Sequence, residues 1–193
     1  MINNLNVLCI IQARMASKRL PKKALVKLNG KPAIIRMIER IEKSKYINKI
    51  ILATGRSSEN DILEKVVKKS TSSYVFRGDD DDVLSRYVEI SKTYKADIVV
   101  RLTGDCPLTD FDIIDNIIRM HVENEADYTS NILNRTFPDG LDVEVFNLDT
   151  LLKANRVSTN SFSREHVTTY MHGLKNNKNN LKNIKKVSYE NDI

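Results

Sequence analysis

Tryptophan is absent from the 193 residues, and cysteine, proline and glycine number only two, four and six. Cys9 and Cys106 lie far apart and in no C-x-x-C pattern. That spacing argues against a disulfide framework or a thiolate zinc site and points to a reducing, cytoplasmic setting. No apolar stretch approaches the roughly 20 residues that cross a bilayer, so no membrane partner is expected. The opening MINNLNVLCIIQAR has neither a basic leader nor a small-residue cleavage site, and a secretory signal is not expected. Aromatic residues make up 6% of the chain, with no basic stripe interleaved among them. The stacking surface of a nucleic-acid binder is therefore missing. The net charge of +6 does not restore that reading, because half of it falls in the tail. From Leu174 onward five lysines face only Glu190 and Asp192. The whole chain is 41% hydrophobic and 29% charged, the composition of one globular domain with a substantial core.

Strand-like and helix-like segments alternate along that domain. Short buried strands are predicted at 5–11, 49–53, 74–76 and 97–102, with further strands at 127–130 and 141–146. Between them come helices. One follows Pro32 to about 45 with Ile34, Ile35, Ile38 and Ile41 on one face. A second opens at a Ser58-x-x-Asp61 capping box. A third starts at Asp81 or Asp82, a fourth is capped by Asp110, and a last runs over 163–174. This alternation predicts an α/β fold with a mostly parallel sheet and helices on both faces. The domain is expected over 1–174, with 175–193 as a Lys/Asn-rich C-terminal segment. Ligands in such sheets bind beyond the carboxyl ends of the strands. Four loops lie there, after Ile11, Ala53, Phe76 and Leu102, and all are polar or charged.

The first of these loops, Gln12-Ala13-Arg14-Met15-Ala16-Ser17-Lys18-Arg19-Leu20-Pro21-Lys22-Lys23, places several cations and a serine directly after a buried strand. Outward amides with Arg and Lys neutralise phosphate oxygens; the alternative is a solvated basic loop. The loop is neither a Walker A motif nor a G-x-G-x-x-G fingerprint. Asp105 follows the run DIVVRL at a strand's carboxyl end, where a turn former or a metal ligand both fit. Asp142 and Glu144 alternate on a predicted strand and so share a face. Cys106 has no histidine in its motif and reads as a small buried residue.

The segment IIQARMASKRLPKKALVKLNGKPAI closely resembles the opening signature of the sugar-acid cytidylyltransferases. Further blocks strengthen the likeness: Phe76-Arg77-Gly78, Asp82-Val83-Leu84-Ser85-Arg86-Tyr87, Arg101-Leu102-Thr103-Gly104-Asp105-Cys106-Pro107, the run 137–146, and Arg164-Glu165-His166-Val167-Thr168. They match the SpsF-type spore-coat polysaccharide group best, with the 3-deoxy-manno-octulosonate and acylneuraminate enzymes as relatives. The resemblance implies a three-layer, Rossmann-like nucleotide-diphospho-sugar transferase fold and transfer of CMP from CTP to a sugar acid, with release of pyrophosphate and Mg2+ as cofactor. It implies that Arg14, Arg19 and Lys23 cradle the β and γ phosphates with Ser17, that Ala13 also belongs to the nucleotide site, and that Asp105 holds the metal. Arg14, Arg19, Lys23 and Asp105 would be the catalytic set. Arg77, Gly78 and Arg86 would surround the base, although Arg86 has Asp82 at i−4 as an alternative partner. Asp142, Glu144, Arg164, Glu165 and His166 would face the acceptor, with His166 as one choice of general base.

Two departures from the pattern stand out. Lys22 occupies a position where the family often has glycine, which puts a glycine conformation in question. The family's second metal ligand is expected in a segment beyond Ile193, so the chain is expected to bind Mg2+–CTP more readily than it turns it over. The rival readings are a guanylyl- or uridylyltransferase acting on a sugar phosphate, and a non-catalytic nucleotide-binding remnant. Small-molecule substrates are the expected partners, with self-association as a homodimer left open.

Overall fold

The computed structural model describes residues 2–17, 20–173 and 184–191. Its elements in chain order are β1 (Val7–Gln12), the short hairpin β2 (Lys27–Leu28) and β3 (Lys31–Pro32), α1 (Ala33–Ile41), β4 (Lys49–Gly55), α2 (Asp61–Ser70), β5 (Tyr74–Gly78), α3 (Val83–Thr93), β6 (Ile98–Thr103), α4 (Phe111–Glu123), β7 (Tyr128–Ser130), β8 (Glu144–Asn147), α5 (Leu148–Val157), α6 (Ser161–His166), α7 (Thr169–His172) and β9 (Lys186–Ser188). Seven strands form one sheet in the order β5-β4-β1-β6-β8-β7-β9. Only β8 runs against its neighbours. The expected mostly parallel α/β sheet is the observed one.

Strand geometry explains why both faces are covered. Side chains alternate along β1, so Val7, Cys9 and Ile11 enter one core while Leu8 and Ile10 enter the other. The first core is closed by Ile34 and Ile38 of α1, Leu63 and Val67 of α2, and Ile114 and Ile118 of α4. The second is closed by Leu84 and Tyr87 of α3, Leu151 and Ala154 of α5, and Met171 of α7. Burial on both sides is what turns β1, β4 and β6 into continuous apolar runs. Burial raises the Cys9 thiol far above its ordinary pKa, which makes it inert packing.

Asp82 and Asp110 cap α3 and α4 as predicted, accepting from Ser85 N at 2.9 Å and from Asp112 N at 2.9 Å. The Ser58 capping box does not form. Residues Ser58–Asn60 make a 3-10 turn, and the Asn60 amide, which precedes α2, is turned elsewhere. The predicted helix over 163–174 is two short helices broken at Val167, whose φ of 56° and ψ of −58° place it at the centre of a γ-turn. Asp142 precedes β8 and does not share a strand face with Glu144, because β8 begins only at Glu144. Beyond 174, β9 pairs in parallel with β7, Val187 opposite Thr129. Among the described residues no helix is long and apolar enough to cross a membrane.

The chain passes from β1 to β4 and β5 on one side, then crosses to β6 on the other. The loops after β1 and β6 therefore diverge at a topological switch point, and the crevice between them is where such sheets bind ligands.

Candidate active site

An open cleft of about 780 Å³ lies at this switch point. Its first wall is the loop after β1. Ala13 N–H donates to Ala53 O at 3.2 Å, and Met15 N–H donates to Asn60 Oδ1 at 2.9 Å. Asn60 is fully buried, which explains why its amide does not cap α2. With Ala13 and Met15 anchored through their backbone amides, Ala13, Arg14, Ala16 and Ser17 line the cleft. Lys22 holds φ 59° and ψ 24°, so the left-handed conformation questioned from sequence is kept by a lysine. It delivers Lys23 to the cleft.

The second wall is the turn after β6. Gly104 N–H donates to Gln12 O at 2.8 Å, and a Cβ at Gly104 would lie 2.6 Å from Ala13 Cβ. Only glycine lets the two loops meet so closely. Asp105 then projects into the cleft, where Lys23 Nζ donates to its Oδ2 at 2.6 Å. Burial opposes ionisation of this carboxyl, but the Lys23 ammonium outweighs it, and the pKa falls below the ordinary carboxylate value.

The third wall comes from α3. Arg86 is only 2% exposed and reaches the cleft. Its Nη2 donates to Asp80 O at 3.2 Å, while its Nε has no partner. The alternative pairing with Asp82 does not occur: the Asp82 carboxylate takes Ser85 N–H and the Arg164 guanidinium. Two glycines seat Arg86. A Cβ at Gly78 would lie 2.3 Å from Arg86 Cγ, and one at Gly55 would lie 1.8 Å from Asp80 Oδ1. Burial lowers the Arg86 pKa and leaves a desolvated cation facing the cleft without a carboxylate bonded to it.

The rim opposite is α6. Glu165 and His166 line the cleft, and Arg14 reaches across to Glu165 at 3.2 Å. The Phe162 ring lies 4.4 Å from that of His166. Val167, fully buried, holds a backbone conformation that β-branched residues rarely adopt. That strained turn fixes the direction in which α6 leaves the rim.

Not every predicted residue reaches the cleft. The Arg77 guanidinium is occupied with Asp61, Glu64 and the carbonyls of Gly55, Arg56 and Ser57, tying β5 to the loop after β4. Gly78 lies beneath Arg86. Arg164 clamps α6 to the start of α3 and the end of α5 through Asp82, Asn155 and Ser158. Asp142 pairs with Arg135 at 3.2 Å, outside the cleft lining. Glu144 is buried below the floor against Arg101. Arg19 lies outside the described residues. Conversely, Gln12, Arg101 and Thr103 line the cleft without having been singled out. For Arg101 the signal was available, since a cation inside the apolar run DIVVRL requires a partner.

Among the described residues no three His, Cys, Asp or Glu side chains gather as a metal cage. Mg2+ does not need one, because it is ordinarily held by one or two carboxylates with substrate phosphates and water. Asp105, ionised and facing cations suited to phosphate, fits that donor chemistry.

A family model described as "Cytidylyltransferase" matches residues 8–191. The spore coat polysaccharide biosynthesis protein SpsF of Bacillus subtilis is 36% identical over 86% of this chain and 70% of its own length. A 3-deoxy-manno-octulosonate cytidylyltransferase of Chloroherpeton thalassium is 35% identical over 61% of this chain and 46% of its own. A solved cytidylyltransferase from Leptospira borgpetersenii superimposes with a TM-score of 0.90 at 34% identity, covering 97% of this chain and 77% of that one.

Proposed function

The chain belongs to the cytidylyltransferase family, and on that premise we propose that it transfers CMP from CTP to a hydroxyl of a sugar acid, in the cytoplasm, for surface polysaccharide synthesis. The observation that carries this reading is the pairing of Lys23 with Asp105 where the loops after β1 and β6 meet. One cation suited to a leaving pyrophosphate and one carboxylate suited to its metal stand side by side at the switch point.

In the reaction, the acceptor oxygen forms a bond to the α-phosphorus of CTP. The bond from that phosphorus to the bridging oxygen breaks, the hydroxyl proton is released, and pyrophosphate departs. Mg2+, when held by Asp105 and phosphate oxygens, supplies charge neutralisation at the α-phosphate. The chain's own residues do the rest. Lys23, Arg14 and Arg19 take the β and γ oxygens. Arg86 faces the base, where its guanidinium donates to the acceptor edge of cytosine. Glu165 and His166 stand on the rim as the groups able to take the acceptor proton.

The test is a pyrophosphate-release screen of the four nucleoside triphosphates with Mg2+ against sugar acids, sugar phosphates and phosphorylated polyols. CTP with a sugar acid is the expected productive pair. Release from GTP or UTP with a sugar phosphate would move the assignment to the rival nucleotidyltransferase reading.

A further inference from the structure

Arg101 occupies the floor of the cleft and has no part in the phosphate or metal machinery described above. It lies on β6 two residues before Thr103, about 7 Å deeper along the strand at ~3.3 Å per residue. Arg14, Ser17 and Asp105 sit on loops beyond the strand ends, and Lys23 opens a short 3-10 turn in the segment after β1. A cation at this depth is expensive to bury, and an apolar pair would join β6 to β8 at least as well.

Its surroundings hold the guanidinium without using it up. One terminal nitrogen donates to Glu144 Oε2. The other reaches Gln12 Oε1 only at 3.5 Å, and Nε has no partner. A guanidinium offers five N–H donors, so most of the fork is available. Glu144 is fixed in turn. Its Oε1 accepts from the Tyr128 hydroxyl at 2.8 Å and lies 2.7 Å from His172 Nε2. Glu144 is 2% exposed and cannot swing out to bind a ligand itself.

We propose that Arg101 binds the carboxylate of the acceptor, with Glu144 as the positioning residue that holds its guanidinium at the cleft floor. The proposal rests on the cytidylyl-transfer reading above and gives the acceptor its acidic character. A planar carboxylate matches the guanidinium fork with two parallel hydrogen bonds, which a neutral sugar does not offer.

The test uses equilibrium binding by the full chain. 3-Deoxy-manno-octulosonate and N-acetylneuraminate, each beside its methyl ester, are titrated into protein saturated with CMP and Mg2+. Unmodified protein should bind at least one acid at least about tenfold more tightly than its ester. Arg101→Lys keeps the charge but loses the fork; the double variant Arg101→Met, Glu144→Gln removes both charges and strands neither. In both, acid affinity should fall about 10- to 100-fold, the range for a charge-assisted contact. The preference for acid over ester should vanish, while CTP affinity stays within about twofold. An equal fall in CTP affinity would assign the fork to a phosphate and overturn the proposal. So would an acid preference that survives in either folded variant, or unmodified protein that binds neither acid. Failure of the underlying reading is separate, because it shows in the pyrophosphate screen as activity with other nucleotides or acceptors.

Discussion

Gly78→Ala probes how the fold presents Arg86. The added Cβ would lie 2.3 Å from Arg86 Cγ, 3.0 Å from its Cδ and 3.2 Å from Phe76 Cε1. Carbon atoms pack at about 3.5–4.0 Å, so the arginine must move by more than 1 Å. The clash falls on the stem, and a shift at the tip alone does not relieve it. Overpacking of this kind costs about 1–3 kcal/mol of stability. Displacement also breaks the bond to Asp80 O and withdraws the guanidinium from the cleft. The loss of one charge-assisted contact, about 1.5–3 kcal/mol, should weaken CTP binding roughly 10- to 100-fold. Urea unfolding and calorimetric titration with CTP and Mg2+ read the two effects. The control is the same substitution in an Arg86→Ala background, where the obstructing stem is gone. There Gly78→Ala should cost under about 0.5 kcal/mol and leave the already weakened CTP affinity unchanged. Equal destabilisation in both backgrounds, or undiminished CTP binding with Arg86 present, would refute the seating argument.

Three further outcomes follow from other parts of the site. Lys22→Gly should raise stability by about 1 kcal/mol in urea titration, because a lysine now holds a left-handed conformation that glycine adopts freely; a loss of stability would contradict this. Asp105→Asn should abolish the gain in CTP affinity that Mg2+ provides, measured by titration with and without the metal, and a persisting gain would remove Asp105 from the metal site. Burial opposes ionisation of Glu144, but Arg101 and His172 outweigh it and hold the carboxyl well below the usual range. The unfolded chain therefore takes up the proton first as pH falls, so stability is present above about pH 4.3 and declines in stronger acid. The double variant Arg101→Met, Glu144→Gln should flatten that decline in unfolding curves measured between about pH 5 and pH 3.

The parallel strands were legible because burial on both faces writes them as unbroken apolar runs, as in VLCII of β1. The caps of α3 and α4 were legible because one carboxylate oxygen of Asp82 and of Asp110 bonds to its own helix start, a local contact, although the other oxygen of each accepts from a distant arginine, Arg164 and Arg40. Ser58 misled because the deciding contact, Asn60 to Met15, joins residues far apart in sequence. The break at Val167 carries no glycine or proline to announce it; only packing of that side chain into the core imposes the turn. β9 is a three-residue strand that makes sense only beside β7. In the site, the cation-rich loop and Asp105 were visible as polar residues directly after buried strands. Arg77 and Arg164 looked similar in sequence, yet both satisfy backbone carbonyls and carboxylates that tie elements together. Whether an arginine serves a ligand or the fold depends on partners brought by tertiary structure, which local pattern does not encode.

The claim at the centre of this account is that the cleft directs attack on the α-phosphorus. Label transfer tests it most directly. Protein with Mg2+ and a sugar acid is given CTP radiolabelled at the α-phosphorus, and in parallel CTP labelled at the γ-phosphorus. The α label should pass to the sugar conjugate while the γ label leaves as pyrophosphate. Transfer of the γ label to the acceptor, or an α label recovered only in CMP, would contradict it.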